Sequence, residues 1–531
     1  MKTRTRLASA TFVIAASAAL LAGGTETGGQ LWWSHIQVLA DDRMEGRNTG
    51  TEGYRRAAEY VCGQFEKIGL EPAGTQGYLQ PVKFDVRRLV EDASSLELEH
   101  GGKSERLALG EDAIISIRTD PAESVDAPLV FAGYGFAVPE SRYDDLAGTD
   151  LRGKIIVTIA GAPANIPGPL RAHYQSAAER NPFLRRAGVI GLVAIPNPKH
   201  MDIPWDRLTL SRTQPAMSLA DASLSDTGGM KIGVTLNPAR AGKLLEGSGH
   251  SLGELMALAD AGKPLPRFEL NATLRARTKV DRSQVESQNL AAVLRGSDAK
   301  LRDEYVVLTA HLDHLGVAEP IRGDRIYNGA MDDASGVATL IEIARLLREE
   351  KARPKRSLLF VVVTGEEKGL LGSKYFAAHP TVPARNIVAD VNVDMFLPLF
   401  PLHSVTAYGL HESDLGETLR RVAAKLGVTV LDDREPERNL FVRSDQYSFI
   451  RRGIPSIVLK VGYQQGSKEE QVAKTWLKER YHAPSDDLNQ PVDLQSAADF
   501  NRLMRVLVEA VADRPDRPHW KSDSFFKRFA D

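Results

Sequence analysis

Ser357 to Thr364 reads SLLFVVVT, a run that is apolar on both faces of any strand it forms. A strand buried on both faces needs chain packed above it and below it, which calls for a sheet between layers of helices. The surrounding sequence supplies those parts. Tyr305–Ala310, Ile387–Val393 and Ile454–Val461 are further apolar runs of strand length. Ser335–Glu350 sets Val337, Leu340, Ile341, Ala344 and Leu347 on one face of a helix. Another helix is expected from about Leu370, and Pro491–Asp513 reads as a closing helix. Near the start, Tyr54, Ala58, Val61, Phe65 and Ile68 recur at helical spacing up to the terminating Gly69. The expected fold class is therefore α/β, with a mixed, mostly parallel sheet flanked by helices.

From about 120 to 265 the texture changes. APLVFAGYGF (127–136), LRGKIIVTIAGAP (151–163) and FLRRAGVIGLVAIPNP (183–198) are short strand signals bounded by Gly and Pro, with one short helix among them. This stretch is expected to be a β-rich insert, 120–265, without catalytic clusters. It would divide a main domain into an N-terminal part, 30–119, and a larger part, 266–520. Residues 81–119 read as short alternating segments with little chemistry.

The 531 residues carry a net charge of −2, so nothing points to nucleic acid or to an anionic membrane surface. Cys62 is the only cysteine, which excludes an intramolecular disulfide and a thiolate metal site. The first 24 residues have the order of an export signal: Lys2, Arg4 and Arg6, then the apolar Leu7–Ala22, then Gly23 and Gly24. That run is short for a membrane span, which needs about 20 apolar residues. The mature protein is expected to be exported, periplasmic or extracellular, with no stable membrane insertion after cleavage.

Polar clusters stand where the apolar strands run out. They are AHLDHLG (310–316), NGAMDDASG (328–336), GEEKGLLGS (365–373) and NVDM (392–395), with YHAPSDD (481–487) ahead of the last helix. Ligands of open α/β sheets gather beyond the carboxyl ends of the strands, so distant clusters can meet there. Meeting would assemble two imidazoles and several carboxylates. That donor set suits zinc, with manganese or cobalt as alternatives. Two divalent ions would neutralise carboxylates that otherwise repel one another. A water between the ions would become a nucleophile near neutral pH. Taken singly, Asp332 and Asp333 could simply cap a helix, and Glu366 and Glu367 could be a solvated pair.

The ordered set of clusters resembles the co-catalytic zinc exopeptidases of metallopeptidase family 28. LADDRMEGRNTGTEGYRRAAEYV (39–61), RSDQYSF (443–449) and GIPSIVL (453–459) share that likeness, and VFAGYGF and DLRGKIIV in the insert are similar to a protease-associated domain. The resemblance implies two Zn2+ ions bridged by Asp332, with His311 and Asp394 completing one site and Glu367 and His482 the other. It also implies Glu366 as general base, Asp313 as the group that orients His311, Tyr481 as an oxyanion donor, and a cis bond between Asp332 and Asp333. His314 is then a spare, non-ligating histidine, and Met331 and Gln446 depart from the usual pattern. The implied substrate is a peptide cut at one end, with aminopeptidase favoured. A carboxypeptidase or dipeptidase would need a cation such as Arg443 or Lys460 facing the substrate carboxylate. Di-zinc amidohydrolases share the ligand order, but their lid falls between the fourth and fifth ligands, where this chain has little room. A metal-free binding ectodomain is the remaining alternative.

Overall fold

The structure is a computed structural model that describes residues 28–226 and 229–530. The expected export signal, 1–24, lies outside the described residues. No helix among them is long and apolar enough to cross a membrane.

A ten-stranded mixed sheet organises the main domain. Its principal strands are β1 (Leu79–Leu89), β2 (Ala216–Leu219), β3 (Val280–Leu294), β4 (Tyr305–His311), β5 (Ser357–Val363), β6 (Ile387–Asn392), β7 (Ser404–Tyr408), β8 (Thr429–Leu431) and β9 (Ser456–Val461). They lie in the order β2-β1-β3-β5-β4-β6-β9-β7-β8, and Glu71–Pro72 adds to β3. The centre is parallel, β5 beside β4, β4 beside β6 and β6 beside β9, while β3 and β1 extend it antiparallel. Helices α1 (Glu52–Ile68), α2 (Ser335–Glu349), α4 (Leu415–Lys425) and α5 (Leu494–Ala512) cover one face, and α3 (Leu371–Ala378) lies against the other.

The apolar run that opened the argument is divided as a pleat requires. Leu358, Phe360 and Val362 join the core under α1, α2 and α5, while Leu359, Val361 and Val363 pack with Phe376 of α3 on the opposite face. Each fully buried side chain of this size contributes about 1.5–3 kcal/mol relative to exposure. A single polar substitution in β5 would therefore strike one of two cores.

The second sheet has eight strands and runs from Lys103–Arg106 at one edge to Ala113–Ile115 at the other. It includes Ser95–His100 and Arg267–Arg277, so it reaches past both expected boundaries, 120 and 265. These strands escaped notice because their outward positions are charged. Arg267, Glu269, Asn271, Arg275 and Arg277 alternate with buried Leu270, Ala272, Leu274 and Ala276. Residues 81–119 likewise hold most of the long strand β1, which pairs along its length with β3. The insert also carries helices, Gly168–Gln175 and Ala177–Arg186 among them. It is not closed on itself, because its segment β2 joins the main sheet against β1.

Candidate metal centre

Strands β4, β5 and β6 end side by side, and the polar clusters follow their last residues. His311 is the final residue of β4. Its Nδ1 lies 3.0 Å from the Asp313 carbonyl oxygen, which leaves Nε2 to face 3.2 Å toward Asp332 Oδ1. Asp394 Oδ1 and Glu366 Oε2 are 3.9 and 4.0 Å from the same nitrogen. On the other side of Asp332, His482 Nε2 is 3.3 Å from Oδ2 and 3.2 Å from Glu367 Oε2. All five expected ligands and Glu366 thus converge, with the Asp332 carboxylate in the middle.

Local structure explains why Asp332 and Asp333 behave differently. The peptide bond between them is cis, as the resemblance implies. Asp333 caps α2, accepting from the Gly336 N–H at 2.9 Å, and also accepts from the Met395 N–H at 3.1 Å. A Cβ at position 336 would run into the Asp333 carboxylate and the Val393 carbonyl, so glycine is needed for that close approach. The capping reading is therefore right for Asp333, and Asp332 is the one turned into the cluster. After Asp394 the chain is pinned by Phe396, which stacks on Phe500 of α5 at 4.1 Å and meets Trp32 edge-on. Met395 and His482 both sit at positive φ, 50° and 54°, as residues held out of ordinary geometry beside a site often do.

Two supports went unassigned from the sequence. Asp486, in the YHAPSDD cluster, is fully buried and accepts from the backbone N–H groups of Met331 at 2.9 Å and Asp332 at 3.0 Å. Arg47 is buried beneath the same loop. It donates to the carbonyls of Asn328 (2.5 Å), Leu39 (2.6 Å), Leu312 (2.8 Å) and Gly329 (2.9 Å). Burial lowers its pKa to about 10, against the opposing pull of Asp486, Asp332, Asp333 and Asp313, so it stays charged at neutral pH. Both lay in stretches singled out by sequence, but only tertiary contact reveals what they hold.

Asp313 does not orient His311 through its carboxylate. That carboxylate accepts from Thr49 Oγ1 (3.1 Å) and from the backbone N–H groups of Glu366 (3.1 Å) and Glu367 (3.3 Å). The chain turns after His311, so the Asp313 carbonyl comes back to the ring while its side chain braces the Glu366–Glu367 corner. His314, expected as a spare, is fully buried with Nδ1 2.8 Å from Glu367 Oε1. Gln446 accepts from Asn392 Nδ2 at 2.8 Å and donates to the Leu440 and Phe441 carbonyls, so it ties the loop before it to β6.

The electrostatics are those of a cation site. Burial raises the Glu366 pKa well above the carboxylate range, and Glu367, Asp445 and Asp394 add to it against His311. Burial would raise Glu367 too, but His482 and His314 hold it well below that range. His482 is lifted to about 10, since Glu367 and Asp332 outweigh burial. His311, Asp332 and Asp394 form one group that could hold a metal ion. A second is His314, Asp332 and Glu367, in which His314, expected as a spare, stands where His482 was expected. Donors around a tetrahedral zinc at about 2.0–2.2 Å lie roughly 3.3–3.6 Å apart. His482 Nε2, 3.2 and 3.3 Å from Glu367 and Asp332, is close to that spacing, and His314 Nδ1 lies 2.8 Å from Glu367 Oε1 with neither atom in a hydrogen bond among the described residues. The donor set present therefore fits zinc, and Asp332 is common to both groups.

Two cavities open on the cluster. One is lined by His311, Asp394 and Glu366 with Tyr408, Arg443 and Lys460. Arg443 is engaged by Asp202 of the insert at 2.9 Å, and Lys460 has no ion pair among the described residues. The other lies toward the insert and reaches His482 and Glu367. Tyr481 borders both cavities and its ring lies 3.9 Å from that of His482. The insert thus stands at the mouth of the site, where Asp202 lines the first cavity and Ile203 the second.

Residues 289–508 match the model of peptidase family M28. A protein described as "Probable zinc metalloprotease" from Pyrenophora tritici-repentis (strain Pt-1C-BFP) is 36% identical over 111 residues, 21% of this chain and 24% of that protein. Carboxypeptidase Q of Xenopus laevis is 32% identical over 122 residues, 23% of this chain and 24% of its own. The matching segment thus spans about a quarter of the length of these relatives. The solved aminopeptidase from Aneurinibacillus sp. strain AM-1 has the same fold, with a TM-score of 0.55 and 20% identity over 90% of this chain and 93% of that one. The M28-like residues 289–508 contain His311, Asp332, Glu367, Asp394 and His482, so the whole donor cluster lies within the part of the chain that matches that family.

Proposed function

We propose that the protein is an exported, two-zinc exopeptidase that removes the N-terminal residue of peptides. One observation carries the reading: two groups of metal-type donors share Asp332, His482 Nε2 lies 3.3 and 3.2 Å from Asp332 and Glu367 of the second, and Glu366 stands beside them with no hydrogen bond to its carboxylate among the described residues. His311, Asp332 and Asp394 would hold one ion, and Asp332, Glu367 and His482 the other. When bound, the ions would polarise the scissile carbonyl and lower the pKa of an attacking water. Glu366 would take a proton from that water and return it to the leaving amine, a transfer worth roughly 10²–10⁴-fold in rate. His314 would hold Glu367 Oε1 so that Oε2 faces the centre. Asp313 would fix the Glu366–Glu367 corner through its two backbone bonds. Tyr481 would donate to the carbonyl oxygen as charge develops on it. The insert, protease-associated in type, would restrict entry to chain ends.

The aminopeptidase assignment rests on the carboxylates of Asp394 and Glu366, which face one cavity where a substrate ammonium can sit. Lys460, unpaired in that same cavity, favours a second reading as carboxypeptidase. A panel of free and N-blocked aminoacyl anilides separates the two. Free anilides should be cleaved and blocked ones spared, and equal cleavage of both would end the aminopeptidase reading. Export is supported by the order of residues 1–24, and the N-terminus of the mature protein recovered outside the cytoplasm tests it.

A further inference from the structure

The cavity between the insert and the main domain has a volume of about 550 Å³, within the range of small-ligand sites. Its charged lining is unbalanced. Arg212 pairs with Glu91 at 2.9 Å and Arg443 with Asp202 at 2.9 Å. Arg118 donates to the Glu367 carbonyl at 3.1 Å. Two cations remain. Lys368 of the main domain is only 7% exposed and makes no hydrogen bond or ion pair among the described residues. Arg207 of the insert lines the same cavity with Nε and Nη2 buried and without a hydrogen-bond partner among the described residues. The carboxylates nearest Lys368 are committed elsewhere: Asp313 to Thr49 and two backbone N–H groups, Glu367 to His314 and His482. A buried cation without a partner is costly, and the cost is recovered when an anion binds it. Guanidinium and ammonium groups are the usual receivers of carboxylate.

We infer that this cavity is a carboxylate subsite, in which Lys368 and Arg207 receive a carboxylate of a short peptide lying across the metal centre. The inference rests on the exopeptidase reading and adds a substrate class: short peptides bearing either a free C-terminal carboxylate or an acidic side chain beyond the scissile bond. Because one cation comes from each unit, the insert takes part in recognition as well as in limiting entry.

The test uses zinc-loaded protein and dipeptides and tripeptides that differ only in carrying a C-terminal acid or amide. A further set of amides carries Asp or Asn in the residue after the scissile bond. Binding is read by calorimetry on Glu366→Gln, and KM on the unsubstituted enzyme. The free acid should bind about tenfold or more tightly than the amide, as expected for charge-assisted contacts. In Arg207→Gln and in Lys368→Gln the acid-to-amide ratio should fall toward one. If the Asp amide binds as well as the free acid, the carboxylate is the side chain's, and if only the free acid binds well it is the α-carboxylate. Acid and neutral amide binding within twofold of each other would overturn the subsite. Absence of hydrolysis of every peptide and anilide by the zinc-loaded enzyme would instead defeat the exopeptidase reading, and the calorimetric ratio would still decide the subsite.

Discussion

Replacing Arg47 with Met should unfasten the loop that carries Asp332. The guanidinium is fully buried and donates to four carbonyls, of Leu39, Leu312, Asn328 and Gly329. Hydrogen bonds to a charged group are worth about 1.5–3 kcal/mol each. Their gross sum is partly cancelled because Met no longer buries a charge, whose desolvation costs several kcal/mol. Removing one partner of such a buried arrangement leaves a net loss of about 3–5 kcal/mol. Arg47→Lys keeps the charge but offers three donors for the four carbonyls, so one is stranded at about 1–3 kcal/mol. Arg47 itself sits at φ 47°, and any replacement but Gly bears that same backbone cost, which cancels in the comparison. Urea denaturation should rank the unsubstituted protein above Lys and Lys above Met. Competition with a zinc chelator should show affinity falling about 10–100-fold for Met, the usual loss when a group outside the ligand shell is removed. A Met variant within about 1 kcal/mol of the parent and with unchanged zinc affinity would refute the reasoning.

Glu366→Gln should lower turnover by about 10²–10⁴-fold with both metals retained, whereas Glu367→Gln should weaken metal binding. Turnover and metal stoichiometry on the two variants decide this, and the opposite pattern would mean the roles are exchanged. His314→Leu removes the partner of Glu367 Oε1, 2.8 Å away, and should cost about 10–100-fold in zinc affinity, measured by chelator competition. An unchanged affinity would show that Glu367 is oriented without it. His173, on the insert helix Gly168–Gln175 and within 2.9 Å of the Tyr447 hydroxyl, has its pKa lowered to about 4 by burial, then Arg451 and Arg528, with Glu140 opposing. The neutral ring is thus favoured by folding, so its contribution is intact above about pH 6.5 and is lost as pH falls toward 4. Unfolding free energies from urea denaturation at pH 7 and pH 4 should differ by about 2–3 kcal/mol less in His173→Gln than in the parent. Identical acid sensitivity of the two proteins would exclude this ring as the cause.

The sequence by itself determined the central strands and which clusters stand at their ends. β5 had to be covered on both faces because Leu358 to Val363 are apolar at every position, and β4, β6 and β9 were legible for the same reason. Burial leaves a compositional trace of this kind in each residue, independent of partners. The candidate donors were legible only as an ordered set of clusters and through the resemblance that set carries, since taken singly Asp332, Asp333, Glu366 and Glu367 have ordinary uses. Tertiary structure decided everything that depends on which strand lies beside which. The insert boundaries were misplaced because Arg267–Arg277 and Ser95–His100 alternate charged with apolar residues, and only pairing shows to which sheet an exposed strand belongs. Asp313 was assigned to the right ring but through the wrong atom, since the path of the chain after His311 sets whether carbonyl or carboxylate faces Nδ1. Arg47 and Asp486 grip backbone atoms, and backbone is common to all residues, so a sequence does not record which carbonyl or N–H a side chain will find. Lys368 and Arg207 belong to the same class: each is an ordinary cation in the chain, and the packing of two units around one cavity is what leaves both without a partner among the described residues.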